Sequence, residues 1–124
     1  MTTQVRCLHI LQKHVGSRNP NDSYRNVAIT RSKEEAIANI QEFVSQIKGM
    51  EDWNRLAQQH SECRSAEKNG DLGMFGRGAM QKPFEDAAFN LEVGSMCSGV
   101  DTDSGIHIIL RVEWRVFIWN LGEM

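Results

Sequence analysis

A stretch of eight residues near the start, QVRCLHIL (Gln4 to Leu11), sets the first limit on the fold. Val5, Cys7, His9 and Leu11 point one way, and Arg6, Leu8, Ile10 and Gln12 the other. A period of two is that of a β-strand. With apolar residues on both faces, the strand needs cover on both, which predicts a central position in a sheet. The clearest partners lie far along the chain, in MCSGVDTDSGIHIILRVE (Met96 to Glu113). That segment reads as two strands around an Asp-Thr-Asp-Ser-Gly turn. In its second strand Ile106, Ile108 and Leu110 face opposite to His107, Ile109 and Arg111.

Between these strands the period changes to helical. Ser32 with Glu35 forms a capping box, and Ala36, Ile37, Ile40, Phe43, Val44 and Ile47 recur at helical spacing until Gly49. Glu51 to His60 predicts a second, shorter helix burying Trp53, Leu56 and Ala57. Pro83 in a first turn, followed by Phe84, Ala87, Ala88 and Phe89, marks a third that stops before Gly94. The expected fold is α+β: a small, mainly antiparallel sheet covered by helices.

A length of 124 residues suits one domain with a real core. The net charge of -2 argues against nucleic-acid or membrane-surface binding. No apolar run approaches the roughly 20 residues needed to span a bilayer, and the polar start MTTQVR is unlike a signal peptide. Cys7, Cys63 and Cys97, odd in number and widely spaced, fit a reducing compartment. A cytoplasmic protein is expected, small enough to enter the nucleus passively.

Chemistry-bearing residues fall in four places. His9 and His107 each lie mid-strand among apolar neighbours; each reads as a core histidine bonded to backbone or hydroxyl, or the two bond to each other beside Thr102 and Ser104. Cys63, in an irregular segment after the second helix, reads either as an ordinary loop thiol or as a reactive one. The histidines and cysteines lack the close pairs of a zinc site, so no metal is expected. Lys13 and Arg18, with Arg25 and Arg31 further on, make the long loop Lys13 to Asn26 basic: a solvated face, or a clamp for phosphate or carboxylate. Last, KNGDLGMFGRGAMQKPFEDA (Lys68 to Ala87) is an apolar, glycine-punctuated stretch that reads as a connector or as the wall of a pocket.

Together, RCLHILQKH, ITRSKEEAIANI, GDLGMFGRGAMQKPFEDAAF and TDSGIHIILR resemble the parvulin family of peptidyl-prolyl cis/trans isomerases, most closely its phosphorylation-dependent, Pin-type branch. The resemblance runs from about Val5 to Glu113 and implies an FKBP-like architecture. It implies an isomerase domain over residues 1–113, with Trp114 to Met124 as a tail of unassigned role, and no WW module ahead of Val5. It implies that His9, Cys63, Ser104 and His107 are catalytic, with Thr102 supporting them. Leu72, Met80, Gln81 and Phe84 would form the socket for the substrate proline, where the glycines at 70, 73, 76 and 78 let the backbone fold tightly. Lys13 and Arg18 would hold a phosphate, but Asn19 stands where a second arginine is expected. Arg25 is a candidate substitute. The implied partners are proline-containing phosphoproteins or peptides, with no cofactor, and the chain is expected to be a monomer. The competing readings are a non-catalytic phosphopeptide-binding or chaperone module using the same groove, and a cysteine hydrolase.

Overall fold

The computed structural model describes residues 4–113. Eight elements follow one another along them. They are β1 (Gln4–Gln12), α1 (Lys33–Gln46), α2 (Met50–His60), a 3-10 turn (Arg64–Lys68), β2 (Asp71–Gly76), α3 (Lys82–Asn90), β3 (Met96–Thr102) and β4 (Gly105–Val112). The four strands form one antiparallel sheet in the order β2-β1-β4-β3. As its two-faced alternation predicts, β1 is interior, pairing with β2 on one edge and β4 on the other.

The two faces of the sheet carry two cores. Leu8, Ile10, Ile106 and Ile108 meet Ala36, Ile40 and Phe43 of α1 and Trp53, Leu56 and Ala57 of α2. On the opposite face Val5, Cys7, Phe75 and Ile109 meet Phe84 and Ala88 of α3. Period-two residues of the strands are thus divided between two helical layers, and truncating any one of these large side chains to alanine costs about 2–5 kcal/mol.

Helix α1 starts where its capping box predicts: Ser32 Oγ accepts from the Glu35 backbone N–H, and a Glu35 carboxylate oxygen accepts from the Ser32 N–H. It ends at Gln46, three residues short of Gly49, because Ile47 is already extended. Pro83 lies in the first turn of α3, where its missing N–H leaves no intrahelical bond unmade.

One element departs from the expectation. Asp71–Gly76 is not a slack or merely pocket-forming loop but an edge strand, antiparallel to β1. Gly70 brings it there. Its φ is +85°, and a Cβ at this position would lie 2.2 Å from the His9 carbonyl oxygen. The Gly70 carbonyl accepts the His9 N–H at 2.9 Å, so only a residue without a side chain allows the two backbones so close. Gly76 does not share this role; it closes β2 without a positive φ.

The loop after β1 is also less exposed than its turn-rich composition suggests. Lys13, His14, Ser17 and Asp22 are all buried. Asp22 accepts from the backbone N–H groups of Tyr24 and Arg25, and Asn21 bridges back to Ala28, so the polar side chains bond their own backbone rather than water.

Candidate active site

Strand register assembles the floor of the site. His9 pairs with Ile109 and Leu11 with His107, which makes the two histidines diagonal neighbours on one face of the sheet. Their rings stack with centroids 5.2 Å apart, and Nδ1 of His9 lies 3.0 Å from Nδ1 of His107. His107 Nε2 lies 2.7 Å from Thr102 Oγ1, which also accepts the Ser104 N–H at 3.1 Å. Burial, reinforced by the neighbouring His9, holds the His107 pKa well below its ordinary value, so this ring is neutral.

At the other end of the pair, His9 Nε2 is buried and without a hydrogen-bond partner among the described residues. Burial alone pushes the Cys63 thiol up, but the nearby His9 ring, with Ser65, outweighs it and brings the pKa down to about 6. Thr102, His107 and His9 therefore form a chain of polar groups across β3, β4 and β1, with Cys63 beside its His9 end.

Cys63 opens into a cleft of about 190 Å³ lined by Leu11, Lys13, Arg18, Asn19, Ser23, Cys63 and Ser104. Lys13 is 5% exposed. Its Nζ donates to the Asn21 carbonyl at 2.5 Å and the Ser23 hydroxyl at 3.0 Å. Burial lowers its pKa, Arg18 adds to the effect, and the charges of Cys63, Asp22 and Glu62 oppose it. Among the described residues no carboxylate lies within ion-pair distance of either Lys13 or Arg18. The third cation of the loop does not join them. Arg25 is tied to Asp22, to the Ser61 carbonyl and to the Gln58 carbonyl at the end of α2, and lines a separate cleft. Arg25 therefore does not fill the place opposite Asn19.

The apolar residues gather beside this cleft. Phe84 is buried, with its ring edge-on to His107 at 5.1 Å and to His9 at 5.7 Å. Leu72 and Met80 pack against the same cluster while staying partly exposed. Gln81 reaches across to the β3–β4 hairpin: its Nε2 donates to Ser104 Oγ at 2.8 Å and its Oε1 accepts the Asp103 N–H at 3.0 Å. Behind it, buried Glu85 accepts the Gly78 N–H and pairs with Arg77, fixing the turn that carries Met80. All eleven side chains singled out from sequence are thus drawn to one side of the molecule, Phe84 and the two histidines joining apolar patch to polar cleft. Sequence reasoning missed Ser23, which holds Lys13, and Glu62. Neither stands in a pattern that marks it.

This arrangement and the sequence agree on the family. A family model for the PPIC-type peptidyl-prolyl isomerase (rotamase) domain matches residues 9–113, and the chain belongs to that family. It is 46% identical over 113 residues to peptidyl-prolyl cis-trans isomerase NIMA-interacting 1 of Theileria annulata, spanning 88% of this chain and 80% of that protein. It is 44% identical over 112 residues to Pin1 of Arabidopsis thaliana, spanning 87% of this chain and 94% of that one. Among solved structures, peptidyl-prolyl isomerase ESS1 from Candida albicans superposes with a TM-score of 0.83 at 40% identity, covering 89% of this chain and 63% of the other. The solution structure of TbPIN1 does so with a TM-score of 0.78 at 39% identity, covering 90% and 99%. The fold is that of the parvulin isomerases, and the chain is a peptidyl-prolyl cis/trans isomerase by family.

Proposed function

We propose that this isomerase acts by preference on X-Pro bonds in which X is phosphoserine or phosphothreonine, and that it does so without a covalent intermediate. The carrying observation is Lys13: an almost buried ammonium, without an ion-pair partner among the described residues, in the same cleft as Cys63 and Ser104. A buried charge left unpaired is costly, so such a site favours an anion. Two of the three Nζ donors are oriented by Asn21 and Ser23, leaving one for a phosphate oxygen beside the Arg18 guanidinium.

Rotation about the prolyl bond faces roughly 18–20 kcal/mol and breaks no covalent bond. Bringing it to tens of events per second needs a barrier only about 5 kcal/mol lower. A grip on the phosphate and a grip on the ring, on either side of the bond, supply the leverage. Leu72, Met80 and Phe84 hold the ring by apolar burial. In the planar amide, resonance places negative charge on the carbonyl oxygen; in the twisted amide that charge is withdrawn. A thiolate at Cys63 disfavours the planar form and so favours the twisted one, electrostatically and without attack. Neutral His107, anchored on Thr102, keeps His9 in place beside Cys63. The Ser104 hydroxyl, accepting from Gln81, retains its own hydrogen for the substrate.

The test is exchange NMR on a pSer-Pro peptide and its Ala-Pro counterpart with catalytic amounts of protein. The wild type exchanges the phosphopeptide faster, and Lys13→Ala lowers kcat/KM for pSer-Pro on the order of 10- to 100-fold, the worth of a charge-assisted hydrogen bond, with far less effect on Ala-Pro. Equal rates for the two peptides in the wild type sink the phosphate preference. Saturable binding without exchange identifies the chain as a binding module.

A further inference from the structure

The residue just before Cys63 has no part in the mechanism above and lines the neighbouring cleft with Arg25 and Arg31, yet it is tied to the backbone that carries Lys13. Glu62 is 5% exposed. Its carboxylate is gripped in a bidentate pair by Arg31, Nη1 to Oε1 at 2.6 Å and Nη2 to Oε2 at 3.0 Å. The same pair holds the backbone of Lys13 from both sides. The Lys13 N–H donates to Glu62 Oε1 at 2.8 Å, and the Lys13 carbonyl accepts from Arg31 Nη1 at 2.8 Å. The backbone of Glu62 is engaged as well: its N–H donates to the Leu11 carbonyl at 2.9 Å, and its carbonyl accepts the Ser23 N–H at 3.1 Å. Ser23 in turn holds the Lys13 ammonium.

A buried ion pair adds little net stability over an apolar pair of similar size, because desolvation offsets the attraction. What it does supply is geometry, since a bidentate guanidinium–carboxylate pair tolerates little displacement. Here that geometry spans the two chemical elements of the site. Cys63 is one peptide bond from Glu62, and Lys13 hangs from the clamp by its own peptide groups. We propose that Glu62, locked by Arg31, is a positioning residue that fixes the separation of the Lys13 ammonium from Cys63 and so sets the preference for a phosphorylated residue before the proline. The proposal rests on the reading of Lys13 as the phosphate ligand.

The experiment compares kcat/KM for pSer-Pro and Ala-Pro peptides in Glu62→Gln and Arg31→Lys, with Lys13→Ala as reference. Glutamine keeps an acceptor for the Lys13 N–H but turns an amide N–H2 toward Arg31; lysine keeps the charge but loses the fork. Both variants are expected to lower the pSer-Pro to Ala-Pro ratio about tenfold, mainly through KM for the phosphopeptide, while Ala-Pro turnover stays within about twofold. A folded variant with an unchanged ratio, or with both substrates impaired alike, overturns the proposal. So does failure of both variants to fold, which makes the pair a stability element. If Lys13→Ala itself leaves the ratio unchanged, the phosphate reading fails and the clamp with it. If Lys13→Ala collapses the ratio and the clamp variants do not, only the clamp is lost.

Discussion

In the floor of the cleft, ladder register alone sets His9 and His107 within a hydrogen bond of one another. At the rim, Lys13 and Arg18 lie on irregular backbone that is held by side chains: Asp22 within the loop, Arg25 against the end of α2, and the Arg31–Glu62 pair beneath. The floor borrows its order from two apolar cores; the rim makes its own from charges. The first kind of order resists small changes until the sheet itself fails, whereas the second can be altered one bond at a time. On the function proposed above, chemistry common to every substrate belongs on the floor, and discrimination between substrates on the rim.

The comparison can be broken most severely at Gly70. An alanine there puts a Cβ against the His9 carbonyl in a left-handed backbone conformation, so β2 must part from β1. Gly70→Ala is expected to destabilise the domain by about 3 kcal/mol or more in urea unfolding. It should also depress turnover of phosphorylated and unphosphorylated peptides together; loss of the phosphopeptide alone contradicts the division.

A smaller effect concerns Cys63. With its pKa lowered to about 6, the thiolate dominates above that pH and gives way to the thiol below it. The rate of alkylation by iodoacetamide should therefore rise with pH to a midpoint near 6. In His9→Asn the midpoint moves back toward the ordinary thiol range, and the thiolate fraction at pH 7 falls by up to about a hundredfold. An unshifted midpoint in this variant removes His9 from the chain of polar groups.

The smallest effect is expected at Arg25. Arg25→Met removes three hydrogen bonds, one to Asp22 within the loop and two that staple the loop to the end of α2, from a side chain that is itself partly exposed. We expect a loss of about 1 kcal/mol or less in stability, faster hydrogen exchange at Asn21 to Tyr24, and unchanged Ala-Pro turnover. A fall in Ala-Pro turnover equal to that for pSer-Pro would blur the line between rim and floor.

The same division governs what could be read from the sequence. The two faces of β1 and β4, the Ser32 capping box and the first turn of α3 were legible because a few neighbouring residues decide each. The His9–His107 contact was foreseeable because both histidines sit mid-strand in an alternating pattern. β2 was not legible. It is an edge strand with Gly73 and Gly76 in it and one buried apolar residue, Phe75, and its pairing is imposed by β1. The burial of Lys13 was hidden for a related reason: a turn-rich loop looks solvated until the arginine and the acid that hold its backbone, Arg31 and Glu62, are brought from 18 and 49 residues away. Glu62 carried no mark at all, since a buried carboxylate is recognised only by its partners.

Gly70 and the diagonal histidines also fix an order of events. His9 and His107 are 98 residues apart in sequence, and β1 lies between β2 and β4, so neither of its edges is covered by a near neighbour. Contacts of such separation are slow to form, because much of the chain must be ordered before they are rewarded. During synthesis, therefore, the polar chain from Thr102 to His9 cannot exist until β4 has left the ribosome. An enzyme that can hasten prolyl rotation in other chains has no such activity to lend while its own is still being made.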